Sequence, residues 1–273
     1  MTCDGPRRRA PLAIDLFCGL GGWTDGLLAE GWDVIGFDIE RHVYGEHRYP
    51  AQLVIQDVLT LHGSQFRDAD LIVASPPCQA YSYRAMPWSR AKALPPPDNT
   101  LFEACFRIQS EACEAAGRHI PLIVENVRGA QKWVGRARWN YGSFYLWGDV
   151  PALMPVAVGA KKFNPDGTSH QPGSWFAIAD SKARGARSDG IKHHASGAAW
   201  FAGAPDKVLG HPGPAKFSSK STARKAASAM IAKIPLPLSQ HIARVFADSA
   251  PLQGARAARV RSGSHPRKGR SGA

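Results

Sequence analysis

Long apolar runs are missing from this sequence. No uncharged stretch approaches the roughly 18 residues that cross a bilayer, so no membrane-spanning helix is expected. Arg7-Arg8-Arg9 followed by Pro11-Leu12-Ala13-Ile14 has the charge-then-apolar order of a secretory leader. Asp15 cuts that apolar run too short for one, and a cytoplasmic protein without membrane attachment is expected. Cysteine is also scarce: five residues, an odd number, all before position 114. A disulfide scaffold would spread its bridges along the chain, so reduced thiols are expected. The histidines at 170, 193, 194 and 211 have no cysteine near them and no paired ligand spacing, which argues against a metal site.

Acidic residues are short in one half only. The 22 acids against 34 Lys and Arg give a net charge of +12. Residues 1–150 carry −2, whereas residues 151–230 and 231–273 carry +7 each. A basic appendage beside a near-neutral core points to a polyanionic partner, nucleic acid first among them, with a solvated basic surface as the plain alternative. With 273 residues, 44% of them hydrophobic, the chain has enough apolar material for one compact catalytic domain and a smaller appendage.

Residues 11–150 alternate strand and helix signals. Leu12–Phe17, Val34–Phe37, Leu53–Ile55, Leu71–Ala74 and Leu122–Val124 are short apolar runs closed by turn residues. Thr24–Glu30 and Thr100–Ala116 have helical spacing and stop at Gly31 and Gly117. This rhythm predicts an α/β fold with a doubly wound, mostly parallel sheet. Residues 151–221, rich in Gly, Pro, Ser and basic residues, predict a small irregular region, and 222–250 a C-terminal helical segment interrupted by Ile234-Pro235-Leu236-Pro237-Leu238. Residues 251–273, nearly devoid of apolar side chains, predict a basic disordered tail that gives non-specific phosphate affinity or is only a solvated end.

Chemistry-bearing residues cluster where strands end. Asp15-Leu16-Phe17-Cys18-Gly19-Leu20-Gly21-Gly22 runs a strand into a glycine-rich turn and helix, which aims backbone N–H groups at the sheet's carboxyl edge. Glycine there allows close approach of a ligand, although any tight strand-to-helix turn favours it. Asp38 and Asp57 follow the next two strands, where a carboxylate accepts from ribose hydroxyls or an adenine amine, or caps a turn. Ser75-Pro76-Pro77-Cys78-Gln79 fixes a nucleophilic thiol on a proline-stiffened loop. Glu125-Asn126-Val127 emerges from the following strand, where a carboxyl group is suited to acid catalysis or to a solvated turn. The loop Tyr81–Pro97, with Arg84, Arg90 and Lys92, is either a closing flap or a surface excursion.

In this order, DLFCGLGG, SPPCQAYS and VENV resemble the catalytic region of DNA (cytosine-5) methyltransferases, in discrete blocks over residues 12–128, and the short chain resembles bacterial or phage members. The resemblance implies a Rossmann-like fold that binds S-adenosylmethionine over residues 11–150, with residues 151–221 as a target-recognition region. It implies Cys78 as nucleophile, Glu125 on the flipped cytosine, and Phe17, Gly19, Gly21, Asp38, Asp57, Thr100 and Leu101 around the methyl donor. It further implies double-stranded DNA as partner, a monomer, and a DNA-methylation or restriction-modification setting. Methylation of RNA, or a non-catalytic DNA-binding descendant, are the alternatives.

The chain departs from the family's pattern at three places. Asp38 stands where Glu is usual, and Ile231-Ala232 replaces the Gly-Asn that opens the final motif, which Ile234–Leu238 otherwise resembles. The family's Gln-x-Arg-x-Arg block is matched only by Gly135-Arg136-Ala137-Arg138, from which Arg138 is taken as the base-contacting arginine, with Arg136 the other candidate.

Overall fold

The computed structural model describes residues 9–81, 95–155 and 222–247. The expected recognition region beyond residue 155, the tail and most of the Tyr81–Pro97 loop lie outside the described residues, as does Cys3. Among the described residues, nine strands and five helices follow in chain order: β1 (Leu12–Leu16), α1 (Gly22–Ala29), β2 (Asp33–Asp38), β3 (Val43–Tyr44), β4 (His47–Arg48), β5 (Gln52–Ile55), β6 (Leu71–Ala74), α2 (Thr100–Ala116), β7 (Leu122–Asn126), α3 (Gln131–Val134), β8 (Trp139–Tyr141), β9 (Phe144–Gly148), α4 (Thr222–Ala232) and α5 (Leu236–Ala247). Seven strands form one sheet in the order β5-β2-β1-β6-β7-β9-β8, and β3 and β4 form a separate hairpin.

The first five positions of that order are parallel and reverse direction of growth at β1, which makes the sheet doubly wound. The antiparallel pair β9 and β8 closes the far side. This is the α/β architecture of a Rossmann-like methyltransferase fold, mostly parallel as the strand rhythm implied. Alternation along the central strands feeds two cores, since a parallel sheet is covered on both faces. Ile14, Leu16, Ile72, Ala74, Leu122 and Val124 pack with Phe102, Cys105 and Ile108 of α2. Ala13, Val34, Leu71, Val73 and Ile123 pack instead with Trp23 and Leu27 of α1 and with Leu238, Ile242 and Phe246 of α5.

The C-terminal helix reaches α1 because glycine lets it. A Cβ at Gly22 would collide with the Ile234 backbone, and one at Gly26 with the Ser239 side chain. Around this close approach Lys233 Nζ pairs with Asp25 at 2.6 Å, Arg244 with Glu30 at 2.7 Å, and Trp32 Nε1 donates to the Ala243 carbonyl at 3.2 Å. The expected interruption of the C-terminal helical segment falls at residues 233–235, between α4 and α5, and neither proline breaks α5 itself. Pro235 precedes its first turn and its carbonyl accepts from the Leu238 and Ser239 N–H groups, while Pro237 lies where no intrahelical donor is needed. Among the described residues no helix is long and apolar enough to cross a membrane, and no group of three His, Cys, Asp or Glu side chains is arranged to hold a metal ion.

Candidate active site

Every strand that carries a sequence-predicted group is paired with its neighbour up to its carboxyl end, so the groups share one edge of the sheet. Leu16 is in register with Phe37 on one side and Ala74 on the other, and Ala74 with Val124. Past those pairs the chain continues as Phe17–Gly21, Asp38, Ser75–Cys78 and Glu125. Cross-links persist beyond the ladder: Cys18 N–H donates to Phe37 O at 3.2 Å and Ser75 N–H to Leu16 O at 3.1 Å.

The glycine-rich turn is a strained piece of backbone. Phe17, Gly19 and Gly21 all have left-handed φ, at 57°, 52° and 76°, and Phe17 is the one non-glycine with positive φ among the described residues. Such a residue costs roughly 1–3 kcal/mol and persists only when its surroundings over-determine it. The Gly19 N–H donates to Asp38 Oδ2 at 2.9 Å, and the Gly21 N–H closes a turn on Cys18 O at 2.7 Å. A Cβ at Gly19 would meet nothing within 4 Å, whereas one at Gly21 would lie 2.5 Å from Pro50 Cδ. Gly19 thus faces open space and Gly21 faces protein.

Asp38 is largely buried. Burial alone would raise its carboxyl, but hydrogen bonds from His42, the Gly19 N–H and the Glu40 N–H outweigh it and hold Asp38 below its ordinary value. Its contact to His42 Nε2 is 3.5 Å, and His42 is raised by that same partner. Asp57 is less committed to a ligand: its Oδ1 accepts the Leu59 N–H at 2.9 Å and caps a short 3-10 turn. Between the two acids lie exposed aliphatic side chains. Ile39 is 70% exposed and Ile55, in register with Asp38, is 48% exposed. Two carboxylates flanking an uncovered aliphatic patch beside an open glycine turn fit a purine nucleoside, the adenosine half of the expected methyl donor. Thr100 and Leu101 open α2, where Asp98 Oδ1 accepts the Thr100 N–H at 2.8 Å. Thr100 is exposed and Leu101 half-buried.

Cys78 is half-buried on a loop fastened at several points. Trp23 Nε1 donates to Ser75 Oγ at 3.0 Å, and Asn126 Nδ2 donates to the Pro76 carbonyl at 3.0 Å. The Tyr81 N–H donates to Cys78 O at 3.0 Å, and the Tyr81 hydroxyl to Asn99 Oδ1 at 2.9 Å. Gly129, in the turn after Glu125, is packed so closely on the Tyr81 carbonyl that a Cβ would collide with it. The thiol loop and the Glu125–Asn126 strand end are therefore one assembly. Glu125 is 9% exposed and Asn126 1%. By contrast Cys105 is fully buried in α2, its thiol pushed far up by burial, and Cys113 lies on the same helix.

Arg138 is not brought to Cys78 directly. Its N–H donates to Leu146 O, and Leu146 pairs with Glu125, so Arg138 begins two strand spacings, roughly 10 Å, from Glu125. With Arg128, Gln131, Arg136, Asn140 and Tyr145 it lines an open concavity beside the Glu125–Asn126 end of β7. Three residues matter to this site without having been singled out by sequence: Asn126, Tyr81 and Tyr49. Asn126 sat inside a quoted motif. So did Tyr81, within SPPCQAYS, whereas Tyr49 carried no local signal, because its partner Thr24 is 25 residues away.

Residues 12–134 match the family of C-5 cytosine-specific DNA methylases, which supports the cytosine-5 methyltransferase resemblance carried by the motifs. Among solved structures, a candidate DNA modification methyltransferase encoded within an Escherichia coli prophage is 27% identical over 46% of this chain and 34% of its own, with a TM-score of 0.33. The Dnmt2 methyltransferase of S. pombe is 17% identical over 45% of this chain and 36% of its own, with a TM-score of 0.31. The Entamoeba histolytica methyltransferase EhMeth is 11% identical over 89% of this chain and 100% of its own, with a TM-score of 0.47. The chain thus spans about a third of the length of the first two of these structures. No curated protein is significantly similar to it.

Proposed function

We propose that this chain is a DNA cytosine-5 methyltransferase that uses S-adenosylmethionine. The observation that carries the reading is the tether between the two reactive segments: the Asn126 side chain, next to the buried Glu125, holds the Pro76 carbonyl two residues before the Cys78 thiol. A nucleophile and a carboxyl group fixed to one another at a sheet edge suit a reaction that needs both on one ring. The donor, when bound, supplies an electrophilic methyl group. Phe17, Gly19 and Gly21 with Asp38, Asp57, Thr100 and Leu101 are the residues that would hold it, the open face of Gly19 leaving room for its amino-acid half.

Carbon 5 of cytosine is a poor nucleophile until carbon 6 is attacked. The Cys78 sulfur adds at carbon 6, and Glu125 hydrogen-bonds the ring nitrogen and exocyclic amine, stabilising charge that builds on the ring. Carbon 5 then takes the methyl group as the methyl's bond to the donor sulfur breaks, loses its proton to water, and the electron pair left behind expels Cys78 as a thiolate. A base inside a duplex is out of reach of these groups, so the target is flipped out. Arg128, Arg136 and Arg138 provide positive charge beside it, with Arg138 assigned to the base. The basic region 151–221 reads the target and the tail adds phosphate affinity. The test is bisulfite sequencing of duplex DNA and of RNA after incubation with the full chain and donor. Conversion-resistant cytosines at a fixed DNA sequence are expected. Methylation confined to RNA would reassign the substrate, and none on either would overturn the reading.

A further inference from the structure

Beneath the glycine-rich turn lies a buried polar chain that the reaction does not use. Asp15, on β1 two residues before Phe17, is 1% exposed. Its Oδ2 accepts the Thr24 hydroxyl at 2.6 Å, and Thr24 Oγ1 lies 2.8 Å from the Tyr49 hydroxyl. Since Thr24 spends its one proton on Asp15, Tyr49 donates to Thr24. Asp15 Oδ1 has no hydrogen-bond partner although it is fully enclosed. Asp15 and Thr24 flank the turn on its two sides, so their bond closes it as a clasp across residues 15 and 24.

Tyr49 links the clasp to the β3–β4 hairpin. Its ring occupies the space a Cβ at Gly36 would need, and the next residue, Pro50, packs on Gly21. The other foot of the hairpin rests on the donor pocket too, through His42 and Asp38. We infer that Tyr49, Thr24 and Asp15 form a clasp that holds the donor turn in its binding conformation, with Tyr49 and Asp15 as positioning residues for methyl-donor binding. This rests on reading Phe17–Gly21 as the donor turn. It goes further by assigning part of the donor's affinity to groups that never touch it.

The clasp has a sense. With Asp15 ionised, bonds run from Tyr49 through Thr24 to the carboxylate. A proton on Oδ2 reverses the first bond, points the Thr24 proton at Tyr49 and leaves the Tyr49 hydroxyl without its acceptor. Burial pushes Asp15 up to about 7, opposed by the Thr24 hydrogen bond and reinforced by Asp38 and Asp25. The titratable groups facing Asp15 are Asp25 from α1, Asp38 from β2, Cys18 from the turn and Tyr49 from beside the hairpin. Asp25 is paired with Lys233, and burial pushes Cys18 and Tyr49 far up, so both stay protonated through the neutral range. His42, facing Asp38 and Glu40, is the other titratable group here, held above its ordinary value chiefly by its hydrogen bond to Asp38.

The test is calorimetry of S-adenosylhomocysteine binding to the full chain across pH 5.5–8.5. Affinity scales with the competent fraction, so a midpoint near 7 predicts a rise of about tenfold from pH 6 to pH 8. Asp15→Asn abolishes that rise, and His42→Gln preserves it. Tyr49→Phe keeps the ring and loses the hydroxyl. It raises the donor KM about fivefold, the worth of one neutral hydrogen bond, while kcat at saturating donor holds. A flat wild-type profile, a rise that survives Asp15→Asn, or one that vanishes in His42→Gln would each overturn the clasp. If Asp15→Asn does not fold, a folded Tyr49→Phe with unchanged donor KM overturns it instead. Absence of binding at every pH overturns the donor-turn reading and the clasp with it, whereas binding with a flat profile overturns the clasp alone.

Discussion

Asn126→Ala separates holding the fold together from aiming the nucleophile. The side chain is 1% exposed, donates to the Pro76 carbonyl at 3.0 Å and accepts the Val127 N–H at 2.8 Å. Truncation removes two hydrogen bonds and strands a buried carbonyl and a partly buried N–H, a loss of about 2–4 kcal/mol. In a chain of this size that lowers Tm by about 5–15 °C. The catalytic loss is a separate quantity. Freed from Asn126, the Cys78 loop keeps its Trp23 and Tyr81 anchors but loses the one beside Glu125, and misplacement by about 1 Å costs on the order of a hundredfold in rate. Single-turnover methylation of duplex DNA at saturating donor, well below the lowered Tm, reads the rate. Asn126→Asp sharpens the comparison. It keeps an acceptor for the Val127 N–H but sets an oxygen against the Pro76 carbonyl, so it should be as slow as alanine. A variant that loses the expected stability yet turns over within about twofold of wild type would show that Asn126 serves the fold alone, and the reading of the tether would be wrong.

Cys78→Ala abolishes methyl transfer, whereas Cys105→Ala and Cys113→Ala retain it; a 5-fluorocytosine duplex, whose fluorine cannot leave as a proton, should trap a denaturation-resistant adduct that mass spectrometry maps to Cys78. Gly19→Val and Gly21→Val both weaken donor binding and both cost stability, because each forces a β-branched residue into left-handed backbone, φ 52° and 76°, but Gly21→Val costs more, since a Cβ there also meets Pro50 at 2.5 Å while one at Gly19 meets nothing; calorimetry with thermal melts distinguishes the two. Asp15 gives stability a pH signature: folded at about 7 against an ordinary 3.8, it favours the native state fully below about pH 4 and loses up to about 4 kcal/mol as pH rises through 7, a slope that denaturant titrations should find missing in Asp15→Asn. Removing residues 254–273 leaves the melting temperature unchanged and makes the salt dependence of DNA binding shallower, since the segment from 251 on carries six Lys and Arg and no acid.

The central strands were legible because each is a short apolar run cut off by a turn residue, and a parallel sheet buried on both faces needs such runs. Helix α2 was legible at both ends, since Gly117 takes the left-handed conformation, φ 62°, that stops it. The hairpin Val43–Arg48 was not, because strands of two residues have no period to read. Nor was β8, Trp139–Tyr141, a three-residue strand that is partly buried or exposed, although Phe144–Trp147 reads as the strand that β9 is. The acids at strand ends were legible as positions but not as partners. Asp57 turned out to cap a turn through one oxygen, and Asp38 to hold His42 and the Gly19 N–H together. Side-chain bonds to distant backbone, such as Asn126 to Pro76 across 50 residues, have no one-dimensional signature.

The glycines of the first motif show why a correct motif can still be incompletely understood. Read as a ligand turn, all of them are there for the donor. In the fold they divide. Gly19 opens toward free space, Gly21 makes room for Pro50, and Gly22, with Gly26 one helical turn later, makes room for the chain entering and running along α5. The last two lie on one face of α1, where residues four apart stack, so they form the groove against which a helix more than 200 residues away in sequence is seated. Glycine at 22 and 26 costs α1 about 1 kcal/mol each in helix propensity, which a surface helix would not retain. What offsets that cost is the core built on the same face by Trp23, Leu27, Leu238, Ile242 and Phe246. The segment that opens the donor turn is therefore also where the end of the chain docks. Gly26→Val, far from any reacting atom, should consequently loosen donor binding by unseating α5. Protease cleavage appearing within residues 232–247 in this variant, but not in Gly19→Val, would show it. Intact α5 with weakened binding would show that Gly26 acts locally on the turn instead.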